Sequence, residues 1–463
     1  MHEERHGRRP KDHVPDPTVQ RRVQARSGSS PRYSGPPEGR QELPTAAATS
    51  KAWSYGCMEE RHRDMAVHVG ERAGRFGGHL LGRLLDRTAA VPPRLLASVV
   101  AQELASVGGQ DAVLLLQDYE QLLLVPLPRD GRTDADPEPI IGSPAGRALM
   151  EERIVELPEV AGLRVYLPLM DGGNHLGVLA LFLDRLKDQE RAELGTLATL
   201  VAGILTSRNR STDLFTRARR RRPMSVAAEI QWSPLPPLTM SVREVEVAGF
   251  LEPAYDVAGD SFDYALNSDT LHAAVIDAMS HGLKAAVMAT AAIGAYRHAR
   301  RAGVGLAEIY ASMDQVITDQ FDPEHFVTAQ MMRLDSKTGR LQWVNAGHPA
   351  PLLVRDHDVI QILDSPTTLP VGFGGEAPLI SEIDLEPGDR IVCFTDGVVE
   401  EHTPGGTQFG RSQLIDSAAR VGRAGNGLAA TARALSHALK TARGGHTSDD
   451  ATIFLIEWRG TDR

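Results

Sequence analysis

The stretch LHAAVIDAMSHG, residues 271–282, decides how the carboxy-terminal half of the chain folds. It begins with a mainly apolar run that has the length and composition of a buried strand. The run ends directly on Asp277, and the small residues that follow Gly282, LKAAVMATAAIGAYRHAR, predict a helix. The stretch therefore predicts a strand, then an acid projecting from its end, then a helix.

Three further acidic positions lie in comparable places along the carboxy-terminal half. Asp260 lies in AGDSFD, Asp396 follows an apolar run in FTDGVVE, and Asp449 lies in SDDAT, ahead of the predicted final strand. If these strands are neighbours, the carboxylates converge at one edge. Carboxylates about 4 Å apart repel by roughly 4 kcal/mol per pair at an effective dielectric near 20, so convergence implies bound cations. Ligation by oxygen alone favours Mg²⁺ or Mn²⁺ over Zn²⁺.

Six motifs in this order, AGDSFD, IDAMSHG, NAGHPAPLL, LPVGFG, FTDGVVE and SDDAT, resemble those of the PPM serine/threonine phosphatases of the SpoIIE-like (sporulation phosphatase) branch. The resemblance covers residues 243–459. It implies an α+β fold, a β-sandwich of two antiparallel sheets flanked by helices, with two divalent cations, Mn²⁺ or Mg²⁺, at one edge. It also implies hydrolysis of a phosphoprotein by a metal-activated water.

The resemblance assigns roles to the matching positions of this sequence. Asp260 matches the acid that bridges both ions. Asp277 and the backbone carbonyl of Ala278 match the second metal-binding motif, while Asp396 and Asp449 match the acids that complete the shell of the other ion.

Other residues of these motifs have two interpretations each. His281 is either the general acid that protonates the leaving serine oxygen or a structural residue at the start of the helix. Asp263 and Asp450 are either ligands or supporting and capping residues, and His348 is expected to fix its loop. Ser280 stands where the family often has Gly, which costs of order 1 kcal/mol if the position needs a positive φ.

Residues 90–210 precede this half and resemble a GAF domain in their pattern. A helix in PPRLLASVVAQELASV is followed by the strands DAVLLLQD and QLLLVPL, and then by two strands around Asp171–Asn174. A long exit helix over residues 187–209 closes the segment. The resemblance implies a regulatory role by ligand binding or dimerisation; a purely structural or dimerising domain is the alternative.

Residues 211–242 are expected to form a linker with a short helix. Its basic run, residues 217–222, is either solvated or a contact for an acidic partner. The segment SVAAEIQW predicts an amphipathic turn or two, with Val226, Ile230 and Trp232 directed at a neighbouring apolar surface.

Composition excludes several classes of protein. The formal net charge is −10, from 50 Lys and Arg against 60 Asp and Glu, which does not favour nucleic acid as a partner. The two cysteines, Cys57 and Cys393, form no CxxC pair. No membrane span or signal peptide is indicated, so a cytoplasmic location is expected. Residues 1–64 are rich in Arg, Pro, Ser and Gly, which predicts a disordered tail.

The sequence thus predicts a protein serine/threonine phosphatase that acts on a phosphorylated partner. In the SpoIIE-like branch such partners are often anti-sigma-factor antagonists, and the GAF-like segment and linker would allow a homodimer. Two other functions stay open: a module that docks a phosphoprotein without turnover, and a hydrolase of small phosphoesters.

Overall fold

The computed structural model describes residues 75–461, apart from residues 130–134, 253, 256–258, 367, 401–409, 423–426 and 443–449. All described residues belong to one compact unit within Glu59–Arg463. The predicted tail, residues 1–64, lies outside the described residues. No helix in the described ranges combines the length and the apolar content that crossing a bilayer requires.

The amino-terminal part is built on one antiparallel sheet, with strand order β3-β2-β1-β6-β5-β4. In chain order its elements are α1 (Gly78–Ala90), α2 (Leu96–Ala105), β1 (Gln110–Gln117), β2 (Leu123–Pro126), β3 (Glu138–Pro139), α3 (Pro144–Met150), β4 (Val155–Glu159), β5 (Gly162–Asp171), β6 (Asn174–Leu183) and α4 (Asp188–Asn209). Side chains alternate along a strand. Leu114 and Leu116 therefore face α1, α2 and α4, whereas Leu115 faces α3.

The two predicted hairpins and the exit helix are confirmed. β5 and β6 pair antiparallel around Gly172 and Gly173, whose φ values of +58° and +83° supply the reversal. The sequence did not predict α1. It ends at the predicted start of the segment, residue 90, and buries Leu80 and Leu84 in the same core.

The linker contains two short helices, α5 (Leu214–Ala218) and α6 (Val226–Trp232). The prediction that Val226 seeks an apolar surface is wrong, since this side chain is 67% exposed. The inward face of α6 consists of Ala227, Ala228 and Gln231. The small alanines let the helix approach its neighbour closely, and Ala227 packs against Ala286.

The carboxy-terminal part holds two antiparallel sheets and the helices around them. In chain order its elements are β7 (Thr239–Ser241), β8 (Val245–Glu252), β9 (Asp260–Asn267), β10 (Thr270–Ala278), α7 (Leu283–Arg301), α8 (Leu306–Gln320), β11 (Val327–Asp335), β12 (Arg340–Ala346), β13 (Leu352–Arg355), β14 (Asp358–Ile362), β15 (Ser381–Asp384), β16 (Arg390–Phe394), α9 (Gly397–Glu400), α10 (Gly410–Gly422), α11 (Leu428–Ala442) and β17 (Ala451–Trp458). One sheet has the order β15-β12-β11-β10-β9 and the other β14-β13-β16-β17-β8-β7.

The two sheets are the inner layers of a four-layer sandwich, because side chains point alternately to the two faces of each strand. In β10, Ala273 and Val275 face the other sheet, whereas Ala274 and Ile276 face α7 and α8. The outer face of the second sheet packs on α10 and α11. The predicted sandwich of antiparallel sheets flanked by helices is confirmed.

The amino-terminal sheet contacts the carboxy-terminal part at a buried histidine. The His175 backbone N–H donates to Thr239 Oγ1 over 3.1 Å. The imidazole lies between Glu152, 3.0 Å from Nε2, and Arg433 of α11, 2.5 Å from Nδ1. Burial lowers the pKa of His175. The neutral imidazole can accept from Arg433 and donate to Glu152 at once, so this ring joins the two parts.

Gly249 in β8 tests the packing between the sheets, because a Cβ built there would lie 2.3 Å from Phe262 Cζ. We expect Gly249→Ala to lower the free energy of unfolding by about 1–3 kcal/mol through overpacking. Urea denaturation followed by circular dichroism measures this change.

The matched control is Gly195→Ala in α4, where an added Cβ meets nothing within 4 Å. Removing a helical glycine there should stabilise the chain by roughly 0.5–1 kcal/mol. Equal effects of the two substitutions would contradict the packing of Phe262 on Gly249.

Candidate metal centre

Asp260 and Asp277 face each other at the same end of two neighbouring strands. They are directly paired in the register of β9 and β10. The Ala278 backbone N–H donates to the Gly259 carbonyl over 3.1 Å, which extends the pairing beyond the acids. Asp260 is 1% exposed, and Asp277 is half-buried. The predicted convergence of these two acids is therefore present.

A pair of threonines ties the second sheet to Asp260. The Thr395 hydroxyl donates to Asp260 Oδ2 over 2.6 Å and accepts from the Thr452 backbone N–H over 2.9 Å. Thr395 directly follows β16, and the half-buried Asp396 comes next and caps the short helix α9 with its carbonyl. The strand end that carries Asp396 thus lies beside Asp260.

Asp450 also reaches this site. Its Oδ2 accepts from the Asp260 backbone N–H over 3.2 Å, and the side chain is buried. Asp449, the acid that the resemblance assigned to a metal, lies outside the described residues. Of the adjacent acids Asp449 and Asp450, the structure describes only Asp450, which the sequence left open as either a ligand or a supporting residue.

The electrostatics of Asp260 show how unfavourable this arrangement is without a cation. Burial, followed by the negative charges of Asp277 and Asp450, raises the pKa of Asp260 well above its ordinary value. The hydrogen bond from the Thr395 hydroxyl acts in the opposite direction. The ionised carboxylate is accordingly disfavoured in the fold until a positive charge compensates it.

The donor set fits a hard divalent cation in its chemistry, since it consists of carboxylates and backbone carbonyls with no thiolate. Within the described residues, no group of three or more His, Cys, Asp or Glu side chains has the spacing of a metal site. The fit therefore rests on the paired Asp260 and Asp277 and on the raised pKa of Asp260.

The turn after Asp277 contains two residues with left-handed backbone. Ser280 has a φ of +76° and Gly282 a φ of +81°. Ser280 therefore has the positive φ that costs a residue other than glycine stability. Gly259 packs under the turn, since a Cβ there would lie 3.0 Å from the Ala278 carbonyl oxygen. A glycine at 259 therefore leaves room for the carbonyl that the sequence predicted as a ligand.

His281 lies on this turn, immediately before α7, and is exposed. Neither of its two interpretations is excluded by this position, because an exposed imidazole at the edge of the site can meet a substrate or simply begin the helix.

Asp263 is placed differently from the other acids. Its Oδ1 accepts from Arg297 and its Oδ2 from Arg300, each over 2.6 Å, and the side chain is 1% exposed. Both arginines belong to α7. These contacts favour the supporting role for Asp263, which anchors α7 on β9.

His348 has the contacts of a loop-fixing residue. Its backbone N–H and carbonyl are bonded to the Asn345 side chain, each over 2.8 Å, and Nδ1 lies 2.8 Å from Thr328 Oγ1. Burial lowers the pKa of His348 to about 3, so the ring is neutral.

Three residues at the site were not predicted: Thr395, Thr452 and Gln231. The threonines lie next to predicted acids in FTDG and SDDAT, so their positions were visible in the sequence. Gln231 belongs to the linker helix α6 and donates from Nε2 to the Asp260 carbonyl over 2.8 Å. Nothing in the linker sequence indicated this contact.

Comparison with known proteins shows that the carboxy-terminal part is similar to one protein family. Residues 267–459 match the family model of stage II sporulation protein E (SpoIIE). The phosphoserine phosphatase RsbP of Bacillus subtilis (strain 168) is 23% identical over 186 residues, which cover 39% of this chain and 46% of RsbP. Phosphoserine phosphatase RsbU of the same organism is 21% identical over 185 residues, 40% of this chain and 55% of RsbU.

Protein IcfG of Synechocystis sp. (strain ATCC 27184 / PCC 6803 / Kazusa) is 23% identical over 222 residues, 41% of this chain and 34% of IcfG. The chain thus spans about half or less of the length of these curated relatives. Among solved structures, the SiaA-PP2C domain of Pseudomonas aeruginosa aligns with a TM-score of 0.43 and 24% identity, covering 50% of this chain and 94% of that domain. The carboxy-terminal part is therefore similar to the SpoIIE family over residues 267–459.

Ser280 provides a test of the turn beside Asp277. Because its φ is +76°, we expect Ser280→Gly to relieve strain and raise the free energy of unfolding by about 0.5–1 kcal/mol. Thermal denaturation of the metal-free protein measures the change. Ser312→Gly, within α8, is the control and should destabilise by a similar amount. A loss of stability in both variants would contradict the left-handed turn.

Proposed function

We propose that residues 243–459 form a metal-dependent protein serine/threonine phosphatase, which hydrolyses phosphoserine or phosphothreonine on a regulatory partner protein. The observation that carries this proposal is the pairing of the buried Asp260 with the half-buried Asp277 across two strands, with Asp260 held by the Thr395 hydroxyl. The match of residues 267–459 to the SpoIIE family adds support, because its curated relatives include two named phosphoserine phosphatases.

In this proposal two divalent cations, Mn²⁺ or Mg²⁺, are held by Asp260, Asp277, the Ala278 carbonyl, Asp396 and Asp449. When bound, such a pair supplies an activated water and compensates charge on the phosphoryl oxygens. Asp260 would be one of the residues that hold these ions, and a cation there would compensate the charge that its burial beside Asp277 and Asp450 disfavours.

The remaining groups of the chain orient the acids and handle the proton. Thr395 and Thr452 fix the rotamer of Asp260 through a chain of two hydrogen bonds. His281, exposed on the turn after Asp277, is the candidate donor of a proton to the leaving serine oxygen. Because Ser280 and His281 are both exposed, a phosphorylated side chain on a folded protein can approach this edge.

We further propose that the amino-terminal part, which resembles a GAF domain, regulates this site. The Tyr119 ring in the loop after β1 contacts the Trp232 ring of α6 edge-on, with centroids 4.8 Å apart. Gln121 of the same loop donates from Nε2 to the Gly249 carbonyl over 3.5 Å. Through these contacts, ligand binding or dimerisation of the amino-terminal part would act on the position of helix α6 and strand β8. A purely structural role for the amino-terminal part is the alternative.

The partner class we propose is an anti-sigma-factor antagonist, the kind of substrate implied by the SpoIIE-like branch. The competing candidates are a docking module without turnover and a hydrolase of small phosphoesters. A docking module has no need for a buried Asp260 beside Asp277 and Asp450, because its ionised carboxylate only costs stability unless cations compensate it. The small-molecule hydrolase shares the metal chemistry and differs in substrate alone.

Activity separates these candidates. We expect Mn²⁺-dependent hydrolysis of p-nitrophenyl phosphate and of a phosphoserine protein by the wild type, and a loss of about two orders of magnitude in Asp396→Asn, since a metal ligand is removed. Steady-state kinetics on both substrates measures this. Asp384→Asn, an exposed aspartate of β15, is the control and should retain the wild-type rate.

Each other result selects a competitor. No turnover by the wild type, or equal rates in wild type and Asp396→Asn, would favour docking. Hydrolysis of nucleotides without hydrolysis of any phosphoprotein would favour the small-molecule enzyme.

Stability gives a second test, at Asp260. Its raised pKa means that the metal-free fold loses stability as pH rises from the ordinary aspartate value near 4 through the raised one. We therefore expect Asp260→Asn to raise the melting temperature of the metal-free protein at pH 7 and to abolish further stabilisation by Mn²⁺. Differential scanning calorimetry with and without Mn²⁺ measures both effects.

Asp389→Asn is the matched control, because Asp389 is equally buried but is bonded to Arg355 through both oxygens, each over 2.7 Å. Its substitution should lower the melting temperature. If Asp260→Asn also lowers the melting temperature of the metal-free chain, the ionised Asp260 carboxylate does not destabilise the fold, and the proposal is contradicted.

A further inference from the structure

Gln231 is a buried amide that reaches from the linker helix into the candidate metal centre. Its side chain is 1% exposed. Nε2 donates to the Asp260 backbone carbonyl over 2.8 Å and lies 3.5 Å from Asp450 Oδ2. The same Asp450 oxygen accepts from the Asp260 backbone N–H. Gln231 therefore closes a small polar network around the start of β9.

The orientation of this amide follows from its neighbours. A carbonyl oxygen and a carboxylate oxygen are both acceptors, so only the nitrogen side of the amide can face them. Oε1 points the other way and has no hydrogen-bond partner among the described residues. Burying a hydrogen-bond acceptor without a partner costs free energy. The contacts of Nε2 must therefore compensate this cost and hold the amide at this position.

Helix α6 is fixed on both sides of Gln231. The Ser225 hydroxyl accepts from the Ala228 N–H over 3.1 Å and caps the start of the helix. Trp232 Nε1 donates to the Ala254 carbonyl over 3.0 Å. Arg297 of α7 binds the Pro234 carbonyl just beyond the helix. These contacts fix the helix that carries Gln231. The position of its amide therefore determines where Asp450 and the Asp260 backbone lie.

We infer that Gln231 is a positioning residue, which sets the affinity of the candidate metal centre by holding Asp450 and the backbone of Asp260. This inference rests on the proposed function, because it assumes that Asp260 binds a cation. Residues that orient metal ligands without touching the ion typically change metal affinity by a factor of about 10–100 when they are replaced. Gln231 does so from the linker helix α6, which precedes residues 243–459.

Gln231→Met tests the inference, since methionine has a similar length and shape but no donor. We expect the dissociation constant for Mn²⁺ to rise about tenfold or more, measured by isothermal titration calorimetry on the full chain after removal of metal. The metal-free melting temperature should change little. Gln231→Asn keeps the amide but withdraws it by one methylene, so we expect an intermediate dissociation constant.

Gln189→Met, at an exposed position of α4, is the control and should bind Mn²⁺ like the wild type. Wild-type Mn²⁺ affinity in both Gln231 variants would overturn the inference and leave the proposed function standing. A lower metal-free melting temperature with unchanged affinity would also overturn it, because Gln231 would then be purely structural. A wild-type chain that binds no Mn²⁺ would overturn the proposed function and the inference with it.

Discussion

The candidate metal centre of the carboxy-terminal half is organised around one buried carboxylate, that of Asp260. Asp260 begins β9, the edge strand of its sheet, pairs with Asp277 of the neighbouring strand and accepts a hydrogen bond from the Thr395 hydroxyl, which follows β16 of the other sheet. Burial, followed by the negative charges of Asp277 and Asp450, raises the pKa of Asp260, so its ionised form opposes folding. Proteins keep such an arrangement where charge compensation serves a function, and a bound cation is the compensation that this set of oxygens fits.

The same carboxylate connects the site to the rest of the chain. Its backbone is bonded to Gln231 of α6, and the next residue of that helix, Trp232, contacts Tyr119 of the amino-terminal part. A short row of contacts thus joins the amino-terminal sheet to the acids. These contacts define where a change in the amino-terminal part would have to act.

Much of the fold could be predicted from sequence, and the failures have physical reasons. Strand alternation and the turn at Gly172 and Gly173 were predicted because they depend on local periodicity and backbone freedom. The convergence of Asp260 and Asp277 was predicted on the condition that their strands are neighbours, and the structure meets this condition. Gln231 and the exposure of Val226 could not be predicted, because they depend on which face of a short helix meets a partner distant in sequence. Asp449 lies outside the described residues, so its role stays a prediction.

The central claim is that cations bind between Asp260 and Asp277. Anomalous diffraction at the manganese absorption edge, from crystals of the protein grown with Mn²⁺, tests it most directly. We predict anomalous density in contact with the carboxylates of both residues. Well-ordered carboxylates without such density, or manganese bound only elsewhere on the chain, would contradict it.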